Sequence, residues 1–147
     1  MQNNKLIINQ LNQLLADFQV YYQNLRGFHW NIQGREFFEL HAKFEELYTD
    51  AAIKIDALAE RILTVGGVPL HGFSDYLDTA SIKPVKNVHD GATSVETIVD
   101  NIGKLINLER EIKNLAADAE DSGTEDMISA LIEEQEKSLW MYKAWLK

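Results

Sequence analysis

The sequence predicts an all-α protein: four helices packed as one bundle, with a long crossover in the middle of the chain. Apolar residues recur every three or four positions along four separate segments, the spacing that lines one face of a helix. No segment alternates with period two for long enough to make a strand. The breaks between segments one and two, and between three and four, are short, whereas 66–92 is a connection of about 27 residues. At 147 residues the chain suffices for one domain with a real core, and a single domain over 1–147 is expected.

The first helix is expected from about residue 4 to 33, with Leu11, Leu14, Leu15, Phe18, Tyr21, Leu25 and Phe28 on one broad stripe. Asn31 to Arg35, with Gly34, interrupts it. The second runs from about 36 to 65 through Phe37, Leu40, Phe44, Leu47, Tyr48, Ala51, Ile55, Leu58 and Ile62. Gly66-Gly67 and then Pro69 stop it, as helix C-termini commonly stop. Within the connection that follows, Phe73 to Ala80 is expected to make a short helix. The third helix is expected over about 93–121, with Thr93 and Glu96 as a capping box and Gly123 as its end. The fourth is expected over about 124–146, with Thr124 as cap and Glu125 and Asp126 in the first turn, where negative charge is favoured. Short connections make each pair of helices an antiparallel hairpin, and one long crossover between the pairs is the ferritin-like topology.

Composition narrows function. The chain has no cysteine, which excludes disulfides, thiolate metal sites and cysteine nucleophiles, and suits a cytoplasmic protein. Met1 to Lys5 shows no basic region leading into an apolar run, so no signal peptide is expected. No stretch approaches the ~18 uninterrupted apolar residues that a membrane span needs. Net charge is −9, Lys5 is the only cation before Arg26, and no basic tail is expected at either end. Such a chain is poorly suited to binding DNA, whereas an acidic surface attracts metal cations.

The second helix carries His41, Glu45, Asp56 and Glu60 among its apolar residues. His41/Glu45 and Asp56/Glu60 are both i, i+4 pairs, able to present two ligands side by side. Relative to His41, Glu45 lies about 40° around the helix, Asp56 about 60° and Glu60 about 100°. His29 lies one short turn away in sequence, at the end of the first helix. Acidic residues are also common on solvated helix faces, and a lone histidine is often structural. A length constraint then applies: the midpoints of the two pairs are about 22 Å apart along the helix. The four residues cannot share one metal within a chain. They could share one if a second copy of the helix packed antiparallel across a two-fold axis, which would create two sites. The conventional intrachain di-iron centre is excluded, because it needs Glu-x-x-His on two helices. Three residues before His29, His41, His71 and His89 stand Arg26, Phe38, Val68 and Lys86. His71 and His89 receive no role.

The run His29-Trp30-Asn31, Gly34, Phe37 or Phe38, Leu40-His41, Glu45, Tyr48, Asp56, Ala59-Glu60-Arg61 and Gly66-Gly67-Val68-Pro69 resembles the signature of the Dps family, the DNA-protecting mini-ferritins of bacteria. The likeness is most specific in the first two helices and extends to Leu139-Trp140. It implies a dodecameric homo-oligomer, a hollow shell with iron sites between two-fold-related subunits. By position, His29, His41 and Glu45 would come from one subunit, and Asp56 and Glu60 from its neighbour. The family usually has Asp where this chain has Glu45, and the extra methylene puts a second metal position in question. The implied activity is ferroxidase: Fe(II) oxidised preferentially by hydrogen peroxide, with ferric mineral stored inside, limiting oxidative damage. Imidazole and carboxylate donors with open positions suit Fe(II), and zinc could occupy the same donors without redox chemistry. Trp30 is a candidate supporting residue behind the ligands, or ordinary core.

Asp118, Glu120, Asp121, Glu125 and Asp126 crowd the last hairpin turn. A solvated loop is one reading. However, Asp118, Glu120 and Asp121 fall where a helix C-terminus disfavours negative charge. In ferritin-like shells this hairpin lines a three-fold pore, which makes Asp118, Asp121 and Asp126 candidates for guiding Fe(II) inward.

Overall fold

The computed structural model describes residues 2–147, with side chains from Asn4 onward. Five helices form: α1 (Gln2–Asn31), α2 (Phe37–Thr64), α3 (Phe73–Thr79), α4 (Gly91–Asp118) and α5 (Ser122–Trp145). Among the described residues there is no strand, and no helix is long and apolar enough to cross a membrane. The apolar stripes meet in one core, in which Leu11, Phe18, Phe28, Phe44, Leu58, Ile98, Leu105 and Ile128 are fully buried.

α1 packs on α2, α3 and α4, and α4 packs on α5. Gly34, at φ +112°, allows the tight reversal between α1 and α2. At the start of α1, the Asn4 amide donates to the Val65 carbonyl just past α2. At its other end, the Gln33 N–H donates to the His89 carbonyl just ahead of α4. α4 therefore begins at the end of the bundle where α2 begins, and the two run parallel. The connection between them must cross the whole length of the bundle, which gives the ferritin-like topology.

That connection is tied down by polar side chains from α1. Asn12 donates to the Val68 carbonyl at 3.1 Å and accepts from the Leu70 N–H at 2.8 Å. Asp17, completely buried, accepts from the Ser81 N–H (2.6 Å), the Ser81 hydroxyl (3.0 Å) and the Ile82 N–H (2.9 Å). Asn24 donates to the Lys83 carbonyl and to Asn101 Oδ1 on α4, and accepts from the Val85 N–H. The backbone groups of an irregular segment need partners when buried, and these three residues supply them.

The helix starts differ from the expected caps in two places. α4 is capped by Asp90, whose carboxylate accepts from the Thr93 N–H at 2.8 Å, so the helix begins before Thr93 and its expected box with Glu96. α5 is capped by Asp121, which accepts from the Thr124 N–H at 3.1 Å, so Thr124 lies inside the helix. Asp caps as well as Thr, and in both cases an acid three positions earlier takes the role. Gly123 does not end the third helix. It lies in the first turn of α5, where a β-carbon would come within 2.6 Å of an Arg61 guanidinium nitrogen. α4 stops instead at a turn in which Glu120 adopts φ +58°, with Glu120 N–H bonded to Ala117 O and Asp121 N–H to Ala116 O.

A second buried acid lies between α4 and α5. Glu109 on α4 is fully buried, with one oxygen accepting from the Gln135 amide of α5 and the other without a partner. Burial pushes its carboxyl up to about 8, against the smaller opposing effects of the Gln135 bond and the Lys54 charge. Between the ordinary Glu range and that value, the folded chain keeps a proton that the unfolded chain has lost. Stability therefore falls as pH rises through this window. Glu109→Gln removes the ionisation at nearly constant shape. The variant is expected to lie within about 1 kcal/mol of the parent at about pH 5 and to exceed it by roughly 4 kcal/mol at about pH 9 in urea unfolding. An equal difference at both pH values would contradict this account of Glu109.

Candidate metal centre

His29 lies in the last turn of α1 and His41 near the start of α2, and the reversal at Gly34 brings them face to face. Their rings stack with centroids 3.8 Å apart and planes 13° from parallel. His29 Nδ1 lies 2.7 Å from the His41 carbonyl oxygen, and His41 Nδ1 lies 2.7 Å from the His29 carbonyl oxygen. A carbonyl oxygen only accepts, so both Nδ1 atoms carry hydrogen and donate. In the neutral ring that tautomer leaves the lone pair on Nε2, the state a metal needs from imidazole. Phe37 stacks on the outer face of His41 at 4.9 Å, and Tyr48 presents its ring edge-on to His29 at 5.2 Å.

Glu45, one turn beyond His41, places Oε1 3.8 Å from His29 Nε2 and leaves its carboxylate largely exposed. A cation bonded to both atoms at about 2.1 Å would hold them roughly 3–3.5 Å apart. The longer side chain at this position is therefore no obstacle to joining the histidine.

Asp56 and Glu60 are exposed on the same face of α2. Because α2 is unbroken from Phe37 to Thr64, the rise of a helix separates them from His41 and Glu45 by about 22 Å. Among the described residues, no three His, Asp or Glu side chains of one chain converge as a metal site would require. The face that carries the four residues also leaves Phe38 (84% exposed), Ile53 (65%) and Leu63 (59%) uncovered. A shallow groove on it is lined by Ala42, Glu45, Glu46, Thr49, Asp50 and Ile53.

Trp30 is not core of the chain: it is 57% exposed, and the Arg26 guanidinium lies 5.0 Å over its ring. In the hairpin, Asp118 and Asp126 are exposed. Asp121 is already engaged. One oxygen accepts from Arg61 at 2.8 Å and from the Thr124 N–H, and the other accepts from the Thr124 hydroxyl at 2.6 Å. Burial pushes its carboxyl up, but the Thr124 bonds and the Arg61 charge outweigh this and hold it below the usual Asp range. The expectation of uncompensated charge at a helix C-terminus therefore does not hold for Asp121, which caps α5 and ties it to α2.

A ferritin-like domain family matches residues 8–147. The DNA protection during starvation protein of Porphyromonas gingivalis is 44% identical over 139 residues, covering 95% of this chain and 87% of that protein. The chain belongs to the Dps family. The Dps protein of Vibrio cholerae O1, whose crystal structure describes it as a member of a broad superfamily of ferritin-like diiron-carboxylate proteins, superposes with a TM-score of 0.98. It is 52% identical, and the match covers 99% of this chain and 92% of that one. The Dps protein of Bacillus brevis superposes with a TM-score of 0.97 at 38% identity, covering 100% and 99% of the two chains. In this Dps-family chain the exposed face of α2 thus carries two separated groups of candidate metal donors, one of them beside the histidine pair.

Sequence reasoning assigned no role to Phe37 or Tyr48, the two rings that enclose the histidine pair. Their helical spacing from His41, i−4 and i+7, places them on its side of α2, but that spacing also describes ordinary core residues.

Proposed function

We propose that this protein is an iron-storage and detoxification mini-ferritin. Its ferroxidase sites form between two-fold-related subunits, with His29, His41 and Glu45 from one subunit and Asp56 and Glu60 from the other. The observation that carries this reading is the reciprocal pairing of His29 and His41, which occupies both Nδ1 atoms and leaves both Nε2 atoms for a metal, with His29 Nε2 3.8 Å from the Glu45 carboxylate. The same face carries exposed apolar side chains that a second subunit would bury. Antiparallel pairing of two α2 helices closes the gap along the helix and generates two sites, and a closed dodecameric shell would supply the cavity for ferric mineral.

Iron is the substrate. Two Fe(II) ions and hydrogen peroxide, with two protons, give two Fe(III) and two waters, so electrons leave in a pair and no hydroxyl radical is released. The imidazoles bind Fe(II) as neutral donors, and the hard carboxylate oxygens favour the ferric product. Asp118 and Asp126, exposed in the hairpin, are the proposed guides for entering Fe(II), with Asp121 holding the turn in shape. A net charge of −9 disfavours DNA as the principal partner.

Anomalous diffraction from crystals of the assembled protein, soaked anaerobically with Fe(II), tests the site. Iron-edge peaks are expected between the His29/His41 pair of one chain and Asp56/Glu60 of another. Zinc alone at these positions, with no consumption of Fe(II) and peroxide in solution, would replace the ferroxidase reading with a redox-inert metal shell. Peaks elsewhere would overturn the ligand set.

A further inference from the structure

Bundles that hold metal within one chain do so at their centre, with carboxylates projecting inward from the helices. This chain lacks the Glu-x-x-His pairs of such a centre, yet the middle of its bundle is polar. Glu109 of α4 is fully buried with one oxygen unpartnered, and Gln135 of α5 donates to the other. Tyr21 of α1 is buried in the same place: burial, and then the charges of Tyr142, Asp50 and Glu109, push its phenol up. A cavity of about 30 Å³, room for roughly one or two waters, is lined by Tyr21, Asp50, Lys54 and Gln135 among others.

A cation already stands in this setting. Lys54 of α2 is buried, with its Nζ bonded to Asp50 and 3.2 Å from Glu134 Oε2 on α5. Its charge also reaches Glu109, where it opposes part of the effect of burial. Lysine is seldom buried to this degree unless partners replace the water around its ammonium. Three carboxylates, from α2, α4 and α5, thus share one ammonium. An ordinary ion pair joining α2 to α5 needs only Asp50 and Glu134, which are both more than half exposed. It gives no reason for the unpartnered oxygen of Glu109 or for the polar cavity beside it.

We propose that the centre of the bundle is an intrachain site for a hard divalent cation, such as Mn(II), and that the Lys54 ammonium is the plug that fills it. The donors are the carboxylates of Asp50, Glu109 and Glu134, with the Tyr21 hydroxyl and the Gln135 amide oxygen. All are oxygens, which suits a hard ion. The ammonium brings the positive charge that such an ion would bring and holds its place, so Lys54 keeps metal out of the subunit core. The site differs from the one between subunits, and the inference stands apart from that reading. Lys54→Ala removes the ammonium with the three methylenes that carry it, and the vacated space joins the cavity. Asp50 and Glu134 then keep their water, and Glu109 keeps its proton near neutral pH, so no buried charge is stranded.

The test titrates Mn(II) into the assembled protein at about pH 8, where ligand protons are readily displaced, and follows the free ion by electron paramagnetic resonance. The parent's count is the baseline. Lys54→Ala is expected to bind one further Mn(II) per chain and to release about one proton as Glu109 ionises. Anomalous diffraction at the manganese edge is expected to place that ion among Asp50, Glu109 and Glu134 of a single chain. Adding Glu109→Gln should weaken this binding about tenfold or more. Lys54→Arg retains a cation and should keep the parent's count. Lys54→Gln keeps the length, drops the charge and should also take up the extra ion, and it decides the matter if Lys54→Ala does not fold. A folded Lys54→Ala that binds no extra ion would make Lys54 a structural ion pair and overturn the proposal. So would manganese at the bundle centre of the parent. Neither result touches the sites proposed between subunits.

Discussion

Asp56→Ala is expected to slow Fe(II) oxidation by peroxide about 100-fold or more, the effect of losing a direct ligand being at least that of losing the groups that orient one. His41→Ala should do the same, although the two residues lie far apart on one helix. Asp56 is exposed and has no hydrogen-bond partner among the described residues, so the variant should keep the parent's stability within about 0.5 kcal/mol. Its loss of activity would then report on chemistry alone. His41→Ala also removes the ring stacked on His29 and the donor to the His29 carbonyl, so part of its effect is structural. An exposed acid away from the α2 face, Asp100, gives the control: Asp100→Ala should oxidise iron at the parent's rate. Stopped-flow absorbance of ferric product under peroxide decides. Unchanged rates in both Asp56→Ala and His41→Ala would remove these residues from the site.

Asp17→Ala is expected to be among the most destabilising single changes, by roughly 3–5 kcal/mol. The carboxylate accepts from two backbone N–H groups and a hydroxyl of the crossover, and it is completely buried. Without it, the Ser81 and Ile82 N–H groups lose their acceptor, and a small cavity opens beside Ile82, itself buried. Asp17→Asn keeps one oxygen acceptor and should cost less. Such a loss is a large share of the stability of a small domain. Urea unfolding measures it, and a midpoint equal to the parent's in Asp17→Ala would show that the crossover does not depend on this residue.

The helices were legible because each has a continuous apolar stripe, and Gly66-Gly67 ended α2 as their sequence implies. The starts of α4 and α5 were not. Asp90 and Thr93, and likewise Asp121 and Thr124, are all good caps, and only the tertiary setting chooses between them. The end of α4 was obscured because Glu120 takes a left-handed position where glycine is usual. The role of Asp17, Asn12 and Asn24 in pinning the crossover is invisible to periodicity, since their partners lie more than fifty residues away in the chain. For the site, spacing alone showed that the ligand pairs could not meet within one chain. The hydrogen bonds that fix both histidine tautomers depend on the turn at Gly34 and appear only in three dimensions. Asp121 shows the opposite failure: counted by charge it looked free for a pore, but its oxygens belong to a cap and to Arg61.

The sharing of each site between two subunits is tested most directly by mixing two inactive parents. In a two-fold pair made of one His41→Ala chain and one Asp56→Ala chain, both lesions fall in one site. The other site then receives His41 from the Asp56→Ala chain and Asp56 from the His41→Ala chain. Co-expressed at equal amounts, random pairing makes half of the dimers mixed, each with one intact site of two, so about a quarter of the parent's peroxide-driven Fe(II) oxidation should return. Mixed assemblies as inactive as either variant alone would contradict a site built between subunits.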